Sequence, residues 1–407
     1  MAIDSSFVRS QFPPLSLTEK GKPLIYFDNA CMTLKPKSVI EAITGYYNNH
    51  PSCHNRSIHY FGKKTSLAFA EARNITARHI NAYKTQEVIF TRNTTESINL
   101  VAQSLGLASG QVVITSDFEH NSNLLPWQFL AHRKDVVHKT YSLGLEASGE
   151  ELSELEELLK EGNVKLVSTF LTSHVTGITQ PITEISKLAH KYGALVLVDA
   201  AQGLPHQKID VKAWQADFIA FSYHKAFGPS GMGALWGRED LLKKLDPFLT
   251  GGETVLDVDY QNCTLAALPE RLEAGLQNYS GAIGGAAALK FISSIDYGQI
   301  AEHELMLNKF VSEELSKLEK VKLIGPSDAS KKGSIVNFYI EGLDSGELSL
   351  LLDKTSNIML RSGVHCCHAW YHKQELQPTL RASFSIYNTM EEVELFLKTL
   401  KDFLKYY

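Results

Sequence analysis

The residues with the clearest chemical potential are a carboxylate and a lysine, each following an apolar segment. Asp199 ends the run Val-Leu-Val-Asp and is followed by Ala-Ala-Gln, whereas Lys225 ends Phe-Ser-Tyr-His-Lys. A lysine can form a Schiff base with pyridoxal phosphate, and an acid can keep the pyridine nitrogen protonated so that the ring withdraws electrons. The pair therefore indicates pyridoxal phosphate chemistry. An ordinary strand-end aspartate and a solvated lysine form the alternative, which stays open for these two residues alone.

A second segment offers a binding site for the phosphate of such a cofactor. Arg92-Asn93-Thr94-Thr95-Glu96 lies between a predicted strand and a predicted helix, which places backbone N–H groups and two hydroxyls at a helix N-terminus. Anions bind favourably there because of the helix dipole and the free N–H groups. The same residues can form a helix cap, with Asn93 as the capping residue and Glu96 three positions later. Both interpretations can hold together.

Two further side chains are suited to contacts with a bound ring and its substrate. His120 follows the next predicted strand, in Glu-His-Asn, and is placed to lie over a cofactor ring. A hydrogen-bonded loop histidine is the alternative for this residue. Arg381 is a charged residue in a strand-like run, and its guanidinium can grip a carboxylate through two parallel hydrogen bonds. An interdomain salt bridge is the alternative for Arg381.

The segment Arg361-Ser-Gly-Val-His365-Cys366-Cys367-His368 contains four adjacent residues of types that bind metals. Structural zinc sites space their ligands in pairs, and four neighbouring side chains are difficult to turn onto one ion, so we predict no metal. A thiol beside a histidine and an arginine in a glycine-containing loop favours a reactive thiolate instead. Metal binding and a buried, inert cysteine are the alternatives.

An alternation of short apolar runs and helical segments must position these residues. Strands are predicted at 87–91, 111–115, 165–170, 194–199 and 217–222, and helices at 94–107, 124–132, 152–161 and 182–192. This order is typical of an α/β fold with a buried parallel sheet. Ligands bind beyond the carboxyl ends of such strands, so Asp199 and Lys225 are expected at one rim of the sheet.

The C-terminal part of the chain follows a different pattern. Residues 251–281 predict a long loop. Helices are predicted at 283–295 and 301–321, and strands at 334–340, 358–361 and 379–387. Thr389 and Glu392 form a capping box for a last helix with an apolar face. We predict an N-terminal arm of residues 1–24 that packs with a small domain, a large domain of residues 25–296, and the small α+β domain of residues 297–407.

The composition of the 407-residue chain excludes several classes of function. Hydrophobic residues make up 44% and charged residues 21%, as in soluble globular proteins. A formal net charge of -5 without a basic run argues against nucleic acid or an anionic membrane as partner. Five cysteines are too few for a disulfide framework, which indicates a reducing compartment. Because the sequence shows neither a signal peptide nor a long apolar stretch, we predict a cytoplasmic protein.

Eight motifs in order resemble the pyridoxal phosphate-dependent cysteine desulfurases of the class V aminotransferase family. The resemblance is closest to the SUF-type branch, which includes selenocysteine lyase-like enzymes, and runs from about Ile25 to the C-terminal helix. It implies a fold type I transferase. The motifs are Tyr26-Phe-Asp-Asn-Ala30, Arg56-Ser-Ile-His59, Asn93-Thr-Thr-Glu96, Glu119-His120 with Pro126-Trp127, Asp199-Ala-Ala-Gln202, Ser222-Tyr-His-Lys225, Arg361-Ser-Gly-x-His-Cys366, and Arg381-Ala-Ser with Tyr387-Asn-Thr389.

The resemblance implies a role for each matching residue. Lys225 would carry the cofactor as a Schiff base and move the substrate Cα proton, His120 would stack on the ring, and Cys366 would be the nucleophile. The residues that would bind the cofactor are Thr94, Thr95, His120, His174, Asp199, Gln202, Ser222, His224, Lys225 and Ser280. Those that would orient the substrate are Asn29, Ala30, Arg361 and Arg381.

The implied reaction removes sulfur from L-cysteine, giving L-alanine and a persulfide on Cys366. A homodimer and a sulfur-acceptor protein, as in iron-sulfur cluster assembly, are the implied partners. Selenocysteine lyase and cysteine sulfinate desulfinase activities on the same scaffold are the nearest alternatives. A non-enzymatic sulfur carrier or metal-binding protein that uses His365-Cys366-Cys367-His368 together with Cys31 or Cys53 is a more distant alternative.

The sequence departs from the family pattern at four places. His174 replaces a usual asparagine, and Asn278-Tyr279-Ser280 stands where the family often supplies a Thr-Gly pair to the partner subunit's phosphate. Ser280 or Tyr279 would then take over that contact. Cys31 occupies the position of a small residue near the substrate, and Cys367 doubles the nucleophile. We predict that Cys367 is a tolerated neighbour rather than a second functional thiol.

Overall fold

The computed structural model describes residues 3–144 and 151–406 and shows an α/β protein with two main sheets. The helices are α1 Ser5–Ser10, α2 Lys37–Asn49, α3 Tyr60–His79, α4 Thr94–Ser104, α5 Leu125–Lys134, α6 Glu151–Lys160, α7 Ile182–Lys191, α8 Val211–Trp214, α9 Glu239–Leu242, α10 Tyr279–Ser293, α11 Tyr297–Ser316, α12 Ser345–Ser356, α13 His368–Lys373 and α14 Met390–Leu404. The strands are β1 Thr18–Glu19, β2 Lys22–Pro23, β3 Ile25–Tyr26, β4 Val88–Thr91, β5 Val112–Ser116, β6 Val137–Tyr141, β7 Val164–Phe170, β8 Leu195–Asp199, β9 Phe218–Ser222, β10 Gly233–Gly237, β11 Val255–Val258, β12 Cys263–Leu265, β13 Val321–Ile324, β14 Ile335–Ile340, β15 Ile358–Met359, β16 Arg361–Gly363 and β17 Thr379–Ser383.

The larger sheet has seven strands in the order β4-β10-β9-β8-β7-β5-β6. The pairs from β9 through β8, β7 and β5 to β6 are parallel, whereas β10 runs antiparallel to both β4 and β9. This mainly parallel sheet confirms the predicted α/β fold class. The five predicted strands are present with ends shifted by at most one residue, because their apolar runs are buried on both faces.

Helices cover both faces of this sheet. Successive side chains of a strand point to opposite faces. Val196 and Val198 of β8 therefore belong to one core cluster, with α3, α7 and α10, whereas Leu197 belongs to another, with α4 and α5. The two cores fix the sheet between helical layers, so the carboxyl ends of β5, β7, β8 and β9 lie together at one edge.

Two strands of the sheet were not predicted. β6 is largely accessible to solvent and β10 has the sequence Gly-Ala-Leu-Trp-Gly, so neither shows a long apolar run. Gly233 begins β10 at a point where the chain lies close to the start of α4: an added Cβ would be 2.6 Å from the Cα of Asn93. A glycine that weakens the strand pattern in the sequence is thus required by the packing.

The prediction of one long loop over 251–281 is wrong. A hairpin of β11 and β12 lies within this range, and α10 begins at Tyr279 rather than at 283. The side chain of Asn278 caps the helix by accepting a hydrogen bond from the N–H of Gly281 at 2.9 Å. Gly285 lets α10 lie against Tyr223, since an added Cβ would be 2.8 Å from Cδ1 of that ring. The glycines of this segment weaken the helical pattern in the sequence, so the start of α10 was not predicted.

The smaller sheet is antiparallel, in the order β13-β14-β17-β16, and packs against α11, α12 and α14. The predicted capping box of α14 is confirmed: the Thr389 hydroxyl accepts from the N–H of Glu392, and the Glu392 carboxylate accepts from the N–H of Thr389. β17 ends at Ser383 rather than at 387, because the next N–H, of Phe384, donates to Ser334 O outside the ladder. The short strand β3 pairs in parallel with β15.

The N-terminal arm contacts residues from both predicted domains. Arg9 Nη1 donates to Tyr387 O at 2.6 Å and to Glu392 Oε1 at 2.7 Å. Phe12 packs against Tyr387 and also against Phe227, with ring centroids 4.6 and 5.7 Å apart. The predicted boundaries at 24/25 and 296/297 stay predictions, and residues 1, 2 and 407 of these ranges lie outside the described residues. Among the described helices, none is long and apolar enough to cross a membrane.

A buried ion pair joins α3 to the segment before α10. The Arg73 guanidinium donates to both carboxylate oxygens of Glu273, at 2.5 and 2.8 Å, and to Val88 O at 2.6 Å. Glu273 Oε1 also accepts from the N–H of Phe90 at 2.6 Å. Both side chains are almost wholly buried, so neither charge has water as a substitute partner.

We expect Glu273→Gln to lower the free energy of unfolding by about 3 kcal/mol, because the buried Arg73 charge loses its counterion. Urea unfolding followed by circular dichroism measures the change. Glu313→Gln is the matched control: its carboxylate is exposed and lies 3.9 Å from Lys309, so the expected change is within about 0.5 kcal/mol. Equal stability of the two variants would contradict a stabilising role for the Arg73–Glu273 pair.

Candidate active site

A cavity of about 240 Å³ lies at the carboxyl ends of β5, β7, β8 and β9. Most of the residues predicted for cofactor, substrate and sulfur chemistry line it. These are Ala30, Thr94, Thr95, His120, His174, Asp199, Gln202, Ser222, His224, Lys225, Arg361, Cys366 and Arg381. The cavity is where a parallel sheet is expected to bind a ligand.

Lys225 and Asp199 both line the cavity, and their charges interact. Asp199 is the last residue of β8, and Lys225 ends the 3-10 turn that follows β9, its parallel neighbour. Burial lowers the pKa of Lys225, and the charge of Asp199 opposes that shift. Burial raises the pKa of Asp199, opposed by a hydrogen bond that Oδ1 accepts from the N–H of Ala201 at 2.9 Å. A lowered lysine pKa increases the fraction of free amine, which is the nucleophilic form.

The N-terminus of α4 forms one end of the cavity. Asn93 caps the helix by accepting from the N–H of Glu96 at 2.9 Å, so the capping interpretation holds. Thr94 packs inward: its N–H and its hydroxyl contact Ser222 Oγ at 2.8 and 2.6 Å. Thr95 is exposed and its hydroxyl lies 2.7 Å from Ser122 Oγ. Hydroxyls and the positive end of the helix dipole together suit a phosphate.

Two histidine rings line the wall above the carboxyl end of β5. The rings of His120 and His174 meet edge to face, with centroids 4.9 Å apart. His120 Nδ1 accepts from the N–H of Ser122 at 3.0 Å, which places the ring hydrogen of neutral His120 on Nε2. Burial, with Lys225 next in importance, lowers the pKa of His120 to about 3, and burial lowers that of His174 as well. Both rings are therefore neutral at physiological pH and can stack on or donate to a ligand.

Gln202 and Ala30 meet at the side of the cavity. Gln202 Nε2 donates to Ala30 O at 2.6 Å, and Gln202 Oε1 is buried without a partner among the described residues. His174 Nε2 is likewise buried, with no partner in residues 3–144 and 151–406. Unpaired buried polar atoms cost free energy unless a ligand or water satisfies them. Both atoms belong to residues that line the cavity, so they indicate where a polar ligand binds.

Asn29 lies next to Ala30 but does not line the cavity. Its Nδ2 donates to Ser383 O at 2.6 Å and to Asn388 Oδ1 at 3.1 Å, and its Oδ1 accepts from the hydroxyl of Tyr387. With its amide engaged on both sides, Asn29 holds the loop after β3 against the residues that follow β17. The predicted contact of Asn29 with the substrate stays a prediction.

Two arginines stand side by side at the cavity. Arg361 of β16 and Arg381 of β17 are register partners in the antiparallel ladder. Arg381 Nη1 donates to His174 O at 2.8 Å, and Nη2 lies 3.4 Å from Asp28 Oδ1. Arg381 therefore forms a salt bridge, which was the alternative role considered for it. Arg381 Nε is buried, and no partner for it exists in the described part of the chain. Like charges opposite each other destabilise a sheet, which favours binding of an additional carboxylate here.

Cys366 sits on a loop between β16 and α13 that is tied to the residues after β5. The carbonyl of Cys366 accepts from the N–H of Asn121 at 2.8 Å, and Asn121 Nδ2 lies 3.0 Å from His368 Nδ1. His365 and Cys366 have φ of 49° and 59°, in the left-handed region that non-glycine residues rarely adopt. Backbone strain of this kind is concentrated at functional sites. The turn presents Cys366 to the cavity.

Cys367 is more deeply buried than Cys366. It is buried at 1% exposure, and its thiol donates to Glu119 O at 3.4 Å. Burial, with Glu119 as the next cause, raises the pKa of Cys367, so the thiolate is disfavoured. Its contacts are with an apolar cluster that includes Trp370. These observations support the prediction that Cys367 is a tolerated structural neighbour.

Ser280, which was predicted to bind the cofactor, lies apart from the cavity. Ser280, at the start of α10, contacts the hydroxyl of Tyr47 at 3.0 Å and Asn278 Oδ1 at 3.2 Å, and it does not line the cavity. Its predicted contact with a partner subunit's phosphate stays a prediction. Within residues 3–144 and 151–406, no group of three or more His, Cys, Asp and Glu side chains is arranged to hold a metal ion.

Several lining residues were not predicted. Ser122 and Thr172 follow β5 and β7 by a few residues, and the rule that ligands bind beyond strand ends could have identified them. Cys31, which the family pattern places near the substrate, also lines the cavity. The other lining residues outside the predicted set are Asn93, Phe170, Ala201 and His365.

The donor set of the cavity fits pyridoxal phosphate. Lys225 provides an amine, and Asp199 provides a buried carboxylate opposite it that can pair with a protonated ring nitrogen. Gln202 Oε1 is an unpaired acceptor suited to a ring hydroxyl. Thr94 and the end of α4 supply the place for a phosphate.

The chain matches the aminotransferase class-V family over residues 25–396, and it belongs to that family. This confirms the predicted family. Among its relatives, a probable cysteine desulfurase of Streptomyces coelicolor is 36% identical, with 98% of this chain and 97% of that protein covered. A probable cysteine desulfurase of Pyrococcus abyssi is 38% identical, with 94% of each covered. The apo structure of a cysteine desulfurase from Thermococcus onnurineus superposes with a TM-score of 0.93 at 38% identity, covering 100% of this chain and 99% of that one.

Proposed function

We propose that this chain is a pyridoxal phosphate-dependent cysteine desulfurase, which takes sulfur from L-cysteine and leaves L-alanine. One observation carries the proposal: Lys225, Asp199 and Cys366 line a single cavity, together with the paired arginines 361 and 381. This reaction needs an amine to hold the cofactor, an acid that keeps the cofactor ring electron-withdrawing, a cationic site for the substrate carboxylate, and a thiol. The cysteine desulfurase names of full-length relatives support it.

Pyridoxal phosphate, when bound, withdraws electrons from the substrate Cα and so allows its proton to leave. Lys225 would hold the cofactor and then move that proton, because its Nζ is the amine that lines the cavity together with Asp199. Asp199 would pair with the ring nitrogen and keep it protonated. His120, neutral and edge-on to His174, excludes water from one face of the ring.

The substrate carboxylate binds at Arg361 and Arg381, where Arg381 Nε is unpaired in the described part of the structure. Arg381 is held by Asp28 and by the carbonyl of His174, so its guanidinium is oriented before substrate arrives. Anchoring the carboxylate directs the Cβ–Sγ bond of L-cysteine toward the cavity wall that holds Cys366. The Cys366 thiolate attacks Sγ, and the Cβ–Sγ bond breaks with its electron pair going to Cβ. The sulfur stays on Cys366 as a persulfide.

A homodimer is part of the proposal. Two segments that lie together carry large exposed apolar side chains, and the Arg56 Nε–Glu253 Oε1 ion pair at 2.6 Å joins them. Exposed apolar patches of this kind mark protein interfaces. The residues of these two segments are Ile58 and Tyr60, close to Arg56 in sequence, and Leu256, Val258 and Tyr260, which follow Glu253. Light scattering after size exclusion tests it, and a monomer at micromolar concentration would contradict it. A sulfur-acceptor protein, the SUF-type branch and a cytoplasmic location stay predictions.

The direct test is anaerobic incubation of the purified protein, loaded with pyridoxal phosphate, with L-cysteine. We expect alanine in solution and one added sulfur on the peptide that contains Cys366, identified by mass spectrometry. Selenocysteine and cysteine sulfinate serve as parallel substrates. Alanine from those two substrates but not from L-cysteine would contradict the proposal and favour the lyase or desulfinase alternatives. A colourless protein with no reaction would favour a sulfur carrier.

Asp199→Asn is expected to lower kcat for alanine formation by about 10²-fold, because a neutral amide cannot hold the proton on the ring nitrogen. The visible absorption of the bound cofactor should persist, since Lys225 is unchanged. Steady-state alanine assays at saturating pyridoxal phosphate measure the loss. Asp240→Asn, which replaces an exposed carboxylate paired with Arg238, is the control and should leave kcat unchanged. Full activity in Asp199→Asn would contradict the assigned role.

A further inference from the structure

Cys31 is a thiol of the active-site cavity that the proposed reaction does not use. It lies on the turn after β3, where its N–H donates to Asp28 O at 3.1 Å, and it is partly exposed to the cavity. β3 runs parallel to β15, with Tyr26 opposite Met359. Cys31 follows Tyr26 by five residues, Cys366 follows Met359 by seven, and both thiols line the same cavity.

Arg361 gives Cys31 the surroundings of a reactive thiol. Arg361 Nη1 donates to Cys31 Sγ at 3.2 Å, so a guanidinium lies in contact with the sulfur, the kind of electropositive setting in which reactive cysteines are found. The same cavity contains the buried Nε of Arg381 and Oε1 of Gln202, which have no partner in the described residues. Cys31 and Cys366 line this same polar cavity. Cys367, in contrast, is buried in an apolar cluster.

We propose that Cys31 is a second sulfur-accepting thiol, which takes the sulfane sulfur from Cys366 inside the cavity. This inference rests on the proposed desulfurase function. The Cys31 thiolate attacks the outer sulfur of the Cys366 persulfide, the S–S bond breaks, and Cys366 leaves as a thiolate. One S–S bond forms as one breaks, so the step is redox-neutral and needs no further reagent. Cys366 is then free for a second turnover, and each chain stores two sulfane sulfurs.

The test is peptide mapping of the pyridoxal phosphate-loaded enzyme after a short anaerobic reaction with a few equivalents of L-cysteine and no other thiol. Thiols and persulfides are trapped by alkylation, and trypsin separates Cys31 from Cys366 because lysines and arginines lie between them. We expect a sulfane sulfur on both peptides. The alanine burst should be about twofold larger in the native enzyme than in Cys31→Ser, because the variant has one sulfur store instead of two.

Two variants make the order of transfer testable. Cys366→Ser should leave Cys31 unmodified, since the sulfur reaches Cys31 only through Cys366. Cys263→Ser, which removes an exposed thiol of the β12 strand, should leave the burst unchanged. Sulfur on Cys366 alone in the native enzyme would overturn the inference while leaving the desulfurase function intact. A Cys31–Cys366 disulfide with release of sulfide would overturn it also, and absence of alanine altogether would contradict the proposed function itself.

Discussion

Lys225→Ala is expected to lower kcat for alanine release from L-cysteine by at least about 10³-fold, because the only amine beside Asp199 in the described cavity is removed. The variant loses both the covalent attachment of the cofactor and the group that moves the Cα proton. Its visible absorption with pyridoxal phosphate should lack the Schiff-base band of the native enzyme. Stopped-time alanine assays and absorption spectra of the same samples measure the two effects together.

Lys225→Arg tests whether the reaction needs the amine itself or only a positive charge at this position. The guanidinium keeps a positive charge near Asp199 but does not deprotonate near neutral pH, so it forms no Schiff base and should be equally inactive. Added methylamine should restore part of the activity to Lys225→Ala, because it fits the space left by the side chain, and none to Lys225→Arg. Activity of Lys225→Arg near the native level would show that the amine is not the reacting group.

The carboxyl ends of the parallel strands could be predicted from the sequence because burial leaves a strong local pattern. β8 and β9 are apolar throughout until Asp199 and Ser222, and that abrupt change indicates both the strand end and the polar rim. The helix cap at Asn93 is likewise a local signal. These residues reach the cavity through the sheet register alone, so no knowledge of distant contacts was needed to group them.

The role of Asn29 could not be predicted in this way. Its position beside Ala30 indicates the cavity, yet its amide is used by Ser383, Tyr387 and Asn388, more than 350 positions away in sequence. Contacts of this length depend on how the smaller sheet docks on the larger one. The pairing of β10 between β4 and β9 and the start of α10 escaped prediction for a related reason, since their glycines are required by neighbours distant in sequence.

The placement of Cys31 near Arg361 also depends on long-range packing. The family resemblance places Cys31 near the substrate, and the pairing of β3 with β15 together with the hydrogen bond from Gln202 Nε2 to Ala30 O holds its segment at the cavity of Cys366. Cys367 is the reverse case. Its position beside Cys366 suggests shared chemistry, but the turn at His365 and Cys366 directs the two thiols to opposite environments.

Cys366→Ser is expected to lower the rate of alanine formation from L-cysteine by at least about 10²-fold, a modest figure beside the losses that follow removal of other enzymic nucleophiles. A serine hydroxyl is a far weaker acceptor for sulfur than a thiolate. The variant should keep the cofactor absorption of the native enzyme, since Lys225 and Asp199 are unchanged. The same alanine assay and a persulfide assay on the protein measure the outcome.

Cys367→Ser is the matched control, because it removes the neighbouring thiol from a site that Trp370 and Glu119 enclose. We expect it to retain native kcat and a persulfide on Cys366, with a small loss of stability from the polar hydroxyl in an apolar cluster. Persistent alanine formation by Cys366→Ser on L-cysteine, together with its loss in Cys367→Ser, would reverse the assignment of the two thiols. Retention of activity by both single variants would instead point to a lyase that releases sulfur without a protein persulfide.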